Sequence, residues 1–185
     1  MQYTPTYFDN YYDGPYEKTF AQGFPLKRIL AKEWADHFRT PPQSFADIGC
    51  GCGQTLLIAR ELLPKAEMIY GVECQDIPKD RVASKDVIFG DFMGIYPQLP
   101  AVDLLYVACS MYIPWKQQQE FLAATVALAK KAVVFANLYC EDGHSIPLDE
   151  LRTVIYKSRP SFITAMRSLG FLFRGSKSID FFIPA

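Results

Sequence analysis

Long hydrophobic runs are missing from this chain. No stretch approaches the about 18 consecutive apolar residues that a membrane-crossing helix needs, so no membrane span is expected. The opening residues are polar and aromatic, not basic and then apolar as in a secretory leader, and a cytoplasmic location is expected. An excess of one charge is missing too. There are 19 Lys and Arg against 20 Asp and Glu, a net charge of −1. A nearly neutral chain lacks the broad positive field that holds nucleic acid or anionic membranes, so neither is expected as a partner. The cysteines are Cys50, Cys52, Cys74, Cys109 and Cys140, five in all. An odd number with no leader argues against a disulfide framework. Cys50-x-Cys52 is not a zinc-site spacing and no Cys/His pair downstream completes one, so no metal is expected.

The even charge has one local exception. Beyond Leu151 stand Arg152, Lys157, Arg159, Arg167, Arg174 and Lys177, with Asp180 as the acidic residue among them. This excess reads either as a solvated face or as attraction for an acidic substrate or partner.

Half of the 185 residues are apolar, enough for one domain with a sizeable core. Residues 1 to 25 are rich in Tyr and Phe without a clean period, and read as an arm or lid. Leu26, Ile29, Leu30, Trp34 and Phe38 then recur at helical spacing, up to Pro41-Pro42. Strands are expected at 45–48, 67–72, 87–89, 102–108 and 132–137, with helices at 54–63 and 116–130 between them. A last helix over 160–169 leads to strands at 171–174 and 179–183. Strands alternating with helices predict an α/β doubly wound sheet, mostly parallel. The closing pair is joined by a short turn and must be antiparallel. Seven strands in one domain, residues 1 to 185 with a core from 26, is the expected architecture.

The most informative stretch is Asp47-Ile48-Gly49-Cys50-Gly51-Cys52-Gly53, where a short apolar strand ends in an acid and three alternate glycines. Without a Cβ, glycine lets the chain turn sharply and a ligand come close. Three readings compete: a bare strand-to-helix turn, a dinucleotide loop, and a loop for a cationic ligand. Gly49 and Gly51 fit Gly-x-Gly-x-x-Gly, but Gln54 stands at its last place and Asp47 would repel a pyrophosphate. An acidic, glycine-rich pocket suits a ligand with sulfonium and ammonium charges.

This motif closely resembles the first motif of class I S-adenosylmethionine-dependent methyltransferases, and the resemblance extends over roughly residues 26 to 185. It implies a seven-stranded Rossmann-like fold with an antiparallel last strand, S-adenosyl-L-methionine as cofactor, and methyl transfer. The loop Gly49, Cys50, Gly51 and Gly53 would wrap the methionine part, with Asp47 ordering it. Glu73, at the end of the second strand, would accept hydrogen bonds from both ribose hydroxyls, with Cys74 bordering the adenine. Asp91 would take the adenine amino group, with Phe92 beside the purine; a helix cap is the other reading of Asp91. Cys109 and Ser110 would lie beside the methyl group. The run Ala108-Cys109-Ser110-Met111-Tyr112 lacks the Asp/Asn-Pro-Pro-Tyr/Phe of amino-methylating nucleic-acid enzymes, so that class loses support, and with no basic stripe or appended nucleic-acid module a small-molecule acceptor is expected. RNA or protein as acceptor, and a non-catalytic domain of the same fold, are the alternatives. His144, past the fifth strand, is the candidate general base, against a solvated loop histidine.

Overall fold

The computed structural model describes residues 24–74, 77, 79, 82–107, 117–135, 159–175 and 179–185. The aromatic arm before Phe24, the Cys109–Ser110 segment and the loop bearing His144 lie outside them. The strands are β1 (Ser44–Ile48), β2 (Met68–Glu73), β3 (Val87–Phe89), β4 (Val102–Val107), β5 (Ala129–Phe135), β6 (Phe171–Phe173) and β7 (Asp180–Pro184). They form one seven-stranded sheet in the order β3-β2-β1-β4-β5-β7-β6. The β1–β2, β2–β3 and β4–β5 pairs are parallel, whereas β7 runs antiparallel to both β5 and β6. Parallel neighbours require crossovers, and helices over Gln54–Leu62 and Gln118–Leu128 supply those of the β1–β2 and β4–β5 pairs. The expected mixed sheet with a reversed closing strand is therefore what the chain forms.

The residues up to Phe92 make one compact unit, and those from Met93 a second. In the first, α1 (Phe24–Arg28) runs on into a π-helical turn over Ile29–Trp34. The wider turn brings neighbouring residues inward together, so Glu33 is buried beside Trp34. Glu33 is only 3% exposed, and its Oε1 has no hydrogen-bond partner. After β1, the glycine loop opens α2 (Gln54–Leu62), which buries Leu56 and Ala59. β1 is buried at every position, as suits an inner parallel strand.

In the second unit, α3 (Phe92–Ile95, which begins at the boundary) and a 3-10 turn (Tyr96–Gln98) precede β4. β4 is buried throughout, and α4 (Gln118–Leu128) leads to β5. The helix expected to reach residue 130 stops at Leu128, because Ala129 already pairs with Val102 in the sheet. An apolar Ala/Leu/Val run carries no period that separates the end of a buried helix from a buried strand. α5 (Arg159–Ser168) is held to the sheet by aromatic edges. Phe162 meets Phe135 at 5.0 Å and Phe182 at 5.4 Å, both near perpendicular, the favoured edge-to-face geometry.

Arg159 answers one open question about the basic tail. Its Nε donates to Asp180 Oδ1 at 2.8 Å, and its guanidinium lies 4.8 Å from the centre of the Phe173 ring. It ties α5 to β7 and stacks on β6. Arg167 and Arg174 are exposed.

Candidate functional site

Parallel strands in register point paired side chains to one face. Asp47 on β1 pairs with Gly71 on β2, and Gly71 pairs with Val87 on β3. Glu73, two positions beyond Gly71, shares that face and stands at its carboxyl edge. α2 packs over this face, against both β1 and β2. In an open α/β sheet, ligands bind beyond the carboxyl ends of the strands, which is where this edge lies.

The loop between β1 and α2 is built on left-handed glycines. Gly49, Gly51 and Gly53 have φ of 81°, 54° and 83°, a region that L side chains rarely enter. The Gly49 N–H donates to the Val72 carbonyl at 2.8 Å, and the Ala83 N–H donates to the Cys52 carbonyl at 2.8 Å. A Cβ on Gly53 would stand 2.7 Å from Val87 Cγ2. The loop is thus pressed against the end of β2 and the start of β3, and Gly53 has no room for a side chain.

Glu73 joins the two halves of this arrangement. Its Oε2 accepts the Gly51 N–H at 2.9 Å, and its Oε1 accepts from the Cys74 thiol at 3.6 Å. Glu73 is 8% exposed and Cys74 is exposed. A carboxylate has two oxygens, each able to take more than one donor, so the bond to the loop does not by itself exhaust Glu73. The expected residues Asp47, Gly49, Cys50, Gly51, Gly53, Glu73 and Cys74 are therefore brought to one edge. Asp91 follows β3 and is exposed, while Phe92 is buried at the start of α3. Among the described residues no cluster of His, Cys, Asp and Glu suits a metal ion.

Asp47 is the electrostatic anomaly. It is 1% exposed and its Oδ1 has no hydrogen-bond partner. Burial pushes its pKa up to about 7, the Thr55 hydroxyl donating to the carboxyl pulls it down, and the nearby charge of Glu73 pushes it up.

Two residues of this site were not singled out by sequence reasoning. Thr55, in the first turn of α2, supplies the donor to Asp47. Its signal was its place, two residues past the last loop glycine. Gly71 is the other. A Cβ there would lie 2.6 Å from Cys50 Sγ and 2.9 Å from Leu56 Cδ1, so the loop and α2 seat on its bare backbone. A single glycine within the strand pattern Met68–Glu73 is a mark of such close approach.

No family model matches this chain, and no curated protein matches it in sequence. Solved structures do match in fold. A sugar N-methyltransferase from Streptoalloteichus superposes with a TM-score of 0.68 at 12% identity, over 100% of this chain and 93% of its own. A SAM-dependent methyltransferase from Archaeoglobus fulgidus gives 0.63 at 16% identity, over 90% and 73%. Magnesium protoporphyrin IX methyltransferase from Synechocystis, with bound SAH, gives 0.60 at 13%, over 90% and 84%. With its sheet order, its reversed seventh strand and these neighbours, the chain has the fold of the class I S-adenosylmethionine-dependent methyltransferases.

Proposed function

We propose that this protein is a methyltransferase that binds S-adenosyl-L-methionine at the β1–α2 loop and methylates a small-molecule acceptor. The observation that carries this reading is the seat of Glu73, whose carboxylate holds the loop through the Gly51 N–H and faces the ligand edge. The residues present fit the cofactor. The cradle has no Cβ at its turns, Glu73 offers a two-oxygen, donor-free carboxylate of the kind that suits ribose hydroxyls, and the unpartnered Oδ1 of Asp47 is a buried acidic group for a cationic ligand.

When bound, the cofactor supplies an electrophilic methyl group on a sulfonium. This chain's contribution is alignment and exclusion of water. Glu73 and the loop hold the ligand's orientation, and Asp91 is placed after β3 for the adenine side. Cys109 and Ser110 remain our proposal for the flank of the methyl group, and His144 for taking a proton from the acceptor. The small-acceptor reading is supported by the net charge of −1 and by the engagement of Arg159 with Asp180, which removes one charge from the basic excess of the tail.

Titration calorimetry with S-adenosylmethionine and with S-adenosylhomocysteine tests the reading. The wild-type protein is expected to bind both. Glu73→Ala is expected to weaken binding at least about tenfold, the low end for a charge-assisted hydrogen bond at ~1.5 kcal/mol. Unchanged affinity in the folded variant would remove Glu73 from the site.

A further inference from the structure

Asp47 stands on the ligand edge with an oxygen that nothing in the protein satisfies. We propose that Asp47 is the neutral acid in the ligand-free site and gives its proton to solvent when a ligand bearing a sulfonium binds. The same side chain then distinguishes the charged methyl donor from its neutral thioether product. This rests on the cofactor reading above.

The geometry of β1, α2 and β2 supports it. On β1, Asp47 is 1% exposed, and a lone buried carboxylate without a full set of donors is costly. From α2 the Thr55 hydroxyl donates to the carboxyl, and the amino end of that helix favours the anion. From β2 the charge of Glu73 opposes the anion. Tyr70, on the opposite face of β2, is pushed by burial to about 12 and stays neutral. Burial and Glu73 outweigh Thr55, leaving Asp47 with a pKa of about 7, poised to change state near neutrality. A new positive charge at the edge favours the anion, so the bond that breaks is the carboxyl O–H and its proton leaves to buffer. The homocysteine product carries no sulfonium, and Asp47 keeps or regains the proton.

The test is calorimetry at pH 6 in two buffers of different ionisation enthalpy. Binding of S-adenosylmethionine is expected to release about 0.8 proton, as follows for a group of pKa near 7 driven well below 6. Binding of S-adenosylhomocysteine is expected to release far less. Affinity for S-adenosylmethionine is expected to rise about five- to tenfold from pH 6 to 7.5, since the cost of deprotonation vanishes as the proton is lost beforehand. Asp47→Asn is expected to abolish the release, and His144→Asn to retain it. Should Asp47→Asn not fold, the His144→Asn result decides. Binding with buffer-independent heat, equal release for both ligands, or release lost in His144→Asn would overturn the proposal and leave the cofactor reading intact. Absence of any binding would overturn that reading and this proposal with it.

Discussion

Asp47 is a carboxyl group placed where its charge is expensive, and the cost is readable as stability. Its pKa is 3.8 when unperturbed and about 7 in the fold. Between those values the folded state holds a proton that the unfolded chain has lost. Stability is therefore fullest below about pH 4 and is lost as pH rises toward 7, by on the order of 4 kcal/mol for this group. Asn has nearly the same shape and cannot ionise. Thermal melts of the ligand-free protein are expected to show Asp47→Asn gaining on wild type steadily from pH 5 to 8 and clearly exceeding it at pH 8. A constant difference between the two across that range would show that Asp47 is ionised throughout. The acid itself was legible in the sequence, because it ends an apolar strand before three glycines. Its protonation was not, since that depends on α2 covering it and on Glu73 sharing its face.

At the scale of elements, strand existence was legible and strand limits were not. β3 matches expectation at both ends, while β5 starts three residues early because Ala129 pairs with Val102. The π-helical turn over Ile29–Trp34 escaped notice, since a helical period is read equally from α and π geometry over one turn. Gly71 escaped because its role is tertiary: Cys50 from the loop and Leu56 from α2 rest on it. A methyl group there needs Cys50 to move, and its Cβ as well as its Sγ is in the way, at 2.7 Å and 2.6 Å. Gly71→Ala is expected to cost roughly 1–3 kcal/mol, the range for overpacking. Denaturant unfolding measures it, and pairing the change with Cys50→Gly is expected to recover part of the loss. An unaffected single variant would mean that the loop does not seat on β2 as described.

Across the whole molecule, a mostly parallel sheet followed from the alternating elements and an antiparallel closing pair from the short turn, whereas the order of the strands was not written in the pattern. No helix among the described residues is long and apolar enough to cross a membrane. Glu73 stood out by its spacing from the loop, and its bond to the Gly51 N–H makes it a structural support of that loop, which the spacing did not foretell. The claim that joins these scales is that the β1–α2 loop and Glu73 form the seat of an adenosyl cofactor. A crystal structure of the protein grown with S-adenosylhomocysteine tests it most directly. We expect the ribose hydroxyls within hydrogen-bond distance of Glu73 and the thioether portion lying along Gly49–Gly53. Ordered ligand elsewhere on the protein, with the Glu73 edge empty, would contradict it.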